Sequence, residues 1–173
     1  MQNALGKGLW GAAVAVTAAV AGLAAPPAAH ADERVCRGTI GARSIDGDIK
    51  VPSGATCRLV GTRVDGNVKL YRGSTLIATK VVVGGNIQAD NARRVAVTGS
   101  RVDGSIQLKS GRGSIQLSGN RVDSDVQLFS NRGPSAVSRN VIGGNLQCKS
   151  NVPKPTGSGN RVHGNKEDQC KRL

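Results

Sequence analysis

The stretch Arg63-Val64-Asp65-Gly66-Asn67-Val68-Lys69-Leu70 decides the fold, because a related stretch occurs six more times along the chain. Each copy begins with a β-branched residue, continues through small or polar residues and ends with an aliphatic position. The seven copies are Ile45–Ile49, Val64–Val68, Val83–Ile87, Val102–Ile106, Val122–Val126, Ile142–Leu146 and Val162–Lys166. The steps between them are 19, 19, 19, 20, 20 and 20 residues, so the chain is built from internal repeats.

Apolar and polar residues alternate inside each copy, which predicts a β-strand. Val64, Val68 and Leu70 share one parity, and Gly66 on the same parity permits a bend. A second, weaker strand is predicted over 57–59, 95–97 and 115–117. No window shows a sustained 3.6-residue apolar period, so we expect little helix.

A repeat of about 20 residues cannot bury its apolar face alone, whereas stacked repeats share one core. We therefore predict an all-β fold: a single-stranded parallel β-helix, or solenoid, of about seven coils of 19–20 residues. Crossover chirality favours the right-handed form. Outward positions stack too, and one of them is occupied in four successive coils by Gln88, Gln107, Gln127 and Gln147. A turn position holds Asn120, Asn140 and Asn160, which suits the tolerance of Asn for left-handed backbone.

The first 31 residues have the features of a secretory signal peptide. Lys7 gives a positive start, 9–25 is apolar, and Ala29-His30-Ala31 fits the small-x-small cleavage rule. We predict two segments, a signal peptide at 1–31 and a β-helix domain at 32–173, and a secreted, extracellular protein without a transmembrane segment after cleavage. A retained membrane anchor is the alternative, and the cleavage triplet disfavours it.

All four cysteines follow the predicted cleavage point, and an even number in an exported chain indicates disulfides. Three pairings are possible from the count alone. Cys36 and Cys57 are 21 residues apart and Cys148 and Cys170 are 22 apart, in each case about one coil. We therefore predict a Cys36–Cys57 bridge at one end and a Cys148–Cys170 bridge at the other, with the charged residues of the last repeat closing the core.

The chain carries a net charge of +13, which becomes +12 after loss of the predicted signal peptide, since Lys7 is its only charged residue. Such a charge favours anionic partners, among them cell-wall polymers, acidic polysaccharides and extracellular nucleic acid, or serves solubility alone. The candidate polyanion-binding residues precede the inward β-branched position and are Arg63, Arg101, Arg121 and Arg161. Val82 and Val141 interrupt this stripe. We expect no specific nucleic-acid partner.

Stacked aspartates offer the main catalytic alternative. The pairs Asp46 with Asp65 and Asp103 with Asp123 would place carboxylates about 5 Å apart, a spacing that suits Ca²⁺ or glycoside chemistry. We favour a structural interpretation, because glycine replaces Asp in two coils. His163 lies in the terminal coil and is expected at the surface, and no Cys/His metal spacing occurs. The sequence thus predicts no catalytic residues, no metal and no cofactor, with a polysaccharide lyase or hydrolase as an alternative.

These coils resemble the right-handed parallel β-helix proteins of the pectate-lyase-like superfamily, and the short V-x-G-x-V pattern resembles bactofilins, which polymerise. The tail, over 144–151 and 164–170, resembles a group of exported actinobacterial proteins of unknown function. The resemblance implies the fold and little about activity. The cysteines and the predicted signal peptide distinguish this chain from the cytoplasmic bactofilins, so their cytoskeletal role does not transfer to it. We expect a secreted structural or interaction protein of the cell surface or matrix, monomeric or self-associating; a polyanion- or polysaccharide-binding module is the alternative.

Overall fold

The computed structural model describes residues 33–173, which form a right-handed parallel β-solenoid of about seven turns and no helix. This confirms the predicted fold class. The strands belong to three sheets that run parallel to one another along the solenoid. Sheet A contains β1 (Arg34–Val35), β4 (Ile49–Val51), β7 (Val68–Leu70), β10 (Ile87–Asp90), β13 (Ile106–Lys109), β16 (Val126–Phe129), β19 (Leu146–Lys149) and β21 (Lys166–Asp168).

The other two sheets complete a three-sided coil. Sheet B contains β2 (Thr39–Ile40), β5 (Thr56–Val60), β8 (Thr75–Thr79), β11 (Arg94–Thr98), β14 (Ile115–Ser118) and β17 (Ser135–Ser138). Sheet C contains β3 (Ser44–Ile45), β6 (Arg63–Val64), β9 (Val82–Val83), β12 (Arg101–Val102), β15 (Arg121–Val122), β18 (Val141–Ile142) and β20 (Arg161–Val162). Each coil visits the sheets in the order A, B, C.

The repeat motif spans two sheets, because the backbone turns at its central glycine. Val64 lies in sheet C, whereas Val68 lies in sheet A. Gly66 sits at this turn, where an added Cβ would lie 2.5 Å from the carbonyl oxygen of Gly47 in the preceding coil. A side chain has no room there, which explains the glycine at this position of most coils.

Equivalent residues of successive coils pair in register, so the predicted inward columns are confirmed. Val64 pairs with Val83, and Val68 pairs with Ile87. The columns form one continuous core of Val, Ile and Leu without aromatic side chains among the described residues. Burying each such side chain contributes about 1.5–3 kcal/mol.

Side-chain oxygens tie each coil to the next at the turn between sheets C and A. The Oδ1 atom of Asp48 accepts a hydrogen bond from the backbone N–H of Asn67 at 2.7 Å, and Asn67 does the same for Asn86 at 2.8 Å. The pattern continues from Asp125 to Asn145 and from Asn145 to Asn165. The Asp or Asn of the repeat therefore satisfies a backbone donor that the turn leaves unpaired.

A second ladder runs inside the turn between sheets B and C, and here the structure corrects an expectation. Asn120, Asn140 and Asn160 are not in the left-handed conformation; the preceding residues Gly119 and Arg139 are, with φ of 64° and 55°. The three asparagine side chains are buried. The Nδ2 atom of Asn120 donates to Oδ1 of Asn140, and that of Asn140 donates to Oδ1 of Asn160. Each Nδ2 atom also donates to a backbone carbonyl of the core. Their role is to satisfy buried backbone groups rather than to supply an unusual φ.

Disulfides close both ends of the solenoid. Cys36 is joined to Cys57 and Cys148 to Cys170, the pairing that the one-coil spacing predicts. In the interior column of sheet A, Arg34 faces Ile49 at one end and Lys166 faces Leu146 at the other. Charged side chains thus terminate the apolar column at both ends.

The predicted signal peptide at 1–31 lies outside the described residues. Within 33–173, no helix is long and apolar enough to cross a membrane.

Candidate polyanion-binding surface

The structure places the four predicted arginines in one column on the outer face of sheet C. Arg101 and Arg121 are direct neighbours in adjacent coils. Val82 separates Arg63 from Arg101, and Val141 separates Arg121 from Arg161. Only the central two are therefore brought together.

Aspartates two residues further along the chain pair with three of these arginines. The Nε atom of Arg101 lies 2.7 Å from Asp103, and that of Arg121 lies 3.1 Å from Asp123. Arg101 also reaches Asp123 at 2.5 Å. Arg63 lies 3.5 Å from Asp65 in the same way. Residues i and i+2 project from the same side, so carboxylates compensate most of this column and weaken its field toward an outside anion.

The same pairs bear on the catalytic alternative. Asp103 and Asp123 are both within ion-pair distance of Arg101, so their carboxylates have a structural partner. His163 is exposed in the last coil and donates its backbone N–H to Ile142. Among residues 33–173, no group of three His, Cys, Asp or Glu side chains is arranged to hold a metal ion.

Charge is strongly segregated around the solenoid. We define the basic side as sheet B plus its two turns, that is, all residues between a sheet A strand and the next sheet C strand: 36–43, 52–62, 71–81, 91–100, 110–120, 130–140 and 150–160. The basic side carries eleven Lys and Arg residues and no Asp or Glu. The remaining part of 33–173 carries twelve Lys and Arg residues together with all ten acidic residues. Nearly all the net charge therefore resides on one side.

The densest part of the basic side is the turn between sheets A and B. Four successive coils each contribute one exposed arginine there, and we name this set the arginine corner: Arg72, Arg93, Arg112 and Arg132. None of the four forms an ion pair within the described chain. One shallow surface depression is lined by Arg72, Gly73, Asn91, Ala92, Arg93 and Arg112. Guanidinium groups of three coils thus border the same concavity.

Tight backbone packing positions these arginines. Gly113 follows Arg112, and a Cβ at Gly113 would lie 1.7 Å from the carbonyl oxygen of Arg93. Gly133 makes the same close approach to Gly113 in the next coil. The coils therefore stack without side chains beneath the turn, and the neighbouring arginines extend into solvent.

The four arginines of this corner were not among the predicted binding residues. The Arg-Gly pairs at 72–73, 112–113 and 132–133 recur at the repeat period, and this was the available signal. What the period alone does not show is that no acidic residue occupies the same side. That conclusion requires knowing where each coil turns.

The outer face of sheet A is closer to neutral. Lys50 lies 3.0 Å from Glu33, and Lys69 lies 2.6 Å from Asp48. The hydrogen bond to Glu33 raises the pKa of Lys50, and the one to Asp48 raises the pKa of Lys69. The predicted glutamine column is present, with Gln88 donating to Gln107 at 3.3 Å and Gln127 to Gln147 at 2.9 Å. This face therefore holds internal partners for most of its polar groups.

Comparison of the chain with protein families, with curated proteins and with solved structures found no match in any of the three. The geometry described above is accordingly the basis for a functional proposal.

Proposed function

We propose that this protein is a non-catalytic interaction protein that binds anionic macromolecules or surfaces through its basic side. The observation that carries the proposal is the absence of any carboxylate from sheet B and its turns, where eleven cationic side chains lie. Repeated cations without internal counter-charges create a positive potential that attracts and retains polyanions.

The chemistry of the arginine corner supports this choice. A guanidinium group remains charged at all physiological pH values and offers paired donors that fit carboxylate, sulfate and phosphate oxygens. The corner repeats one such group per coil, at a coil spacing of about 4.8 Å. Many weak contacts along a rigid rod add up to useful affinity, whereas each exposed arginine alone contributes little.

We also propose that the protein acts outside the cell, as an exported component of the cell surface or matrix. Two disulfides in a chain of this size are typical of oxidising, extracellular conditions. The predicted signal peptide and the resemblance to exported actinobacterial proteins and to the pectate-lyase-like superfamily point in the same direction. The catalytic alternative receives less support, since Asp65, Asp103 and Asp123, which follow sheet C strands, are paired with arginines.

Retention on immobilised heparin tests the proposal with a matched pair of variants. R72Q/R93Q/R112Q/R132Q removes the arginine corner, and R63Q/R101Q/R121Q/R161Q removes the same charge from sheet C. We expect the wild type and the sheet C variant to require similar salt for elution, because aspartates already compensate most of that column. The corner variant should elute at clearly lower salt, as screening predicts for fewer exposed charges.

Two results would contradict the proposal. Failure of the wild type to bind heparin at low salt would leave a passive structural role. Equal weakening by the two variants would show that only total charge matters and that the basic side is not a specific surface.

A further inference from the structure

The basic side carries two separate rows of cations rather than one. The arginine corner borders sheet B along the turn from sheet A. Along the opposite turn, toward sheet C, lie Arg43, Lys80 and Arg139, which are exposed and which we name the far row. The strands β8 and β11 between the rows are five residues long, so the rows stand about 15 Å apart at the usual rise per residue.

The surface between the two rows has low relief. The central outward column of sheet B runs through Arg58, Ile77, Ala96, Gln116, Ala136 and Thr156 in successive coils. Ala96 is almost fully buried beneath its neighbours, and most of this column is short. No long side chain other than Arg58, Arg94 and Gln116 rises from the sheet. A planar partner can therefore reach both rows without an intervening ridge.

A single extended polymer chain lying along the solenoid contacts one row at a time. Cations on both borders of an acid-free sheet are used together only by a partner that is itself broad and flat. We propose that this partner is a lipid bilayer with anionic headgroups, against which sheet B lies with the solenoid axis parallel to the membrane plane. The inference rests on the proposed function, whose ligand class it names.

The composition of the basic side indicates how deep such contact would be. It contains no Trp or Phe, and its exposed large apolar residues, Val60, Tyr71 and Val152, lie in different strands and turns rather than in one stripe. Without a Trp or Phe anchor or an apolar stripe, binding would be mainly electrostatic and superficial. It should therefore require anionic lipid and be reversed by salt.

The test is co-sedimentation of the full chain with vesicles of phosphatidylcholine containing phosphatidylglycerol. We expect binding that disappears with phosphatidylcholine alone or at about 0.5 M salt, where the Debye length falls below about 5 Å. The variant R43Q/K80Q/R139Q, which removes only the far row, should reduce vesicle binding at least tenfold, because each cation at an anionic surface contributes about fivefold. The salt concentration that elutes this variant from heparin should change no more than that of the sheet C control described next.

The control is R63Q/R121Q/R161Q on sheet C, which removes the same three charges and should leave vesicle binding nearly unchanged. Circular dichroism of each variant establishes that it retains the β-solenoid. Absence of vesicle binding by the wild type, or equal weakening by the two triple variants, would overturn the membrane proposal. If heparin retention still depends on the arginine corner, the proposed function stands with a linear polymer as ligand. If heparin retention is also absent, both fail.

Discussion

The Nζ atom of Lys69 lies 2.6 Å from Oδ2 of Asp48 in the preceding coil, while Oδ1 of the same aspartate accepts the backbone N–H of Asn67 at 2.7 Å. One carboxylate thus joins the backbone ladder of the solenoid to its outer charges. The hydrogen bond from Asn67, followed by that from Lys69, lowers the pKa of Asp48 below its usual value of 3.8.

Because of this lowered pKa, the stability of the solenoid should decrease at acidic pH. A carboxyl group whose folded pKa is depressed stabilises the fold above its unfolded pKa, and the contribution is lost as pH falls through the folded pKa. We expect the melting temperature of the wild type to fall as pH drops below about 4. Asp48→Asn keeps an Oδ1 acceptor for Asn67, as Asn67 itself does for Asn86, but removes the charge that pairs with Lys69. It should lower stability modestly near neutral pH and remove this part of the acid-induced loss. The measurement is the melting temperature of both proteins across this pH range. If it falls equally steeply with pH in the variant, Asp48 does not contribute to the acid sensitivity.

The buried asparagine ladder should be among the most sensitive sites. Asn140 Oδ1 accepts from the backbone N–H of Asn120 at 3.0 Å, and its Nδ2 donates to the carbonyl of Leu117 at 3.0 Å. Asn140→Ala removes the acceptor of the buried backbone N–H of Asn120 and one donor to the Leu117 carbonyl, at a cost of about 2–4 kcal/mol. Urea unfolding measures this cost. Asn165→Ala, at an exposed position of the last coil, serves as the control and should lower stability by much less; similar losses would mean that burial of the ladder is unimportant.

A matched pair of turn residues tests the cost of left-handed backbone. Gly119 and Arg139 occupy the same turn in successive coils, with φ of 64° and 55°. Arg139→Gly should raise the free energy of unfolding by about 1 kcal/mol, and Gly119→Ala should lower it by a similar amount. An added Cβ at Gly119 meets no atom within 4 Å, so the effect there is conformational rather than steric. Denaturant unfolding measures both changes in the free energy of unfolding, which should be opposite in sign. Changes of the same sign would contradict the left-handed conformation of these two residues.

The two disulfides close loops of similar length at opposite ends of the rod. Replacing Cys36 and Cys57 by Ser, or Cys148 and Cys170 by Ser, should each cost about 3 kcal/mol in the chain-entropy account. The loops span 21 and 22 residues, so the two losses should be alike. Hydrogen exchange should show the added opening confined to the coil that was released, because each coil contacts only its neighbours. Protection lost along the whole rod would argue against that locality.

The repeat period allowed the fold, the interior columns and the disulfides to be predicted, because each follows from spacing alone. The three-sided cross-section was not predictable in the same way. Sheet C strands such as Arg63–Val64 have two residues, too few for alternation to reveal a separate strand. The position of Asn140 inside the turn was likewise missed, because propensity favours Asn in left-handed turns while the structure needs its amide for buried backbone groups.

The candidate site was only partly predictable for a related reason. Arg101 and Asp103 are two residues apart in an extended segment, so their pairing follows from strand geometry once it is considered. The arginine corner depends instead on how the turns of successive coils align. A change of coil length from 19 to 20 residues falls within this turn, and sequence alone does not place it.

The charged termini of the sheet A column have a consequence for assembly. If two molecules were joined head to tail with their sheets continuous, Arg34 of one would occupy the rung next to Lys166 of the other, since these residues face Ile49 and Leu146 in one column. Two like charges would then meet where the rest of the column is apolar, which is unfavourable. We therefore expect these charged end residues to disfavour growth into fibres by head-to-tail stacking of coils.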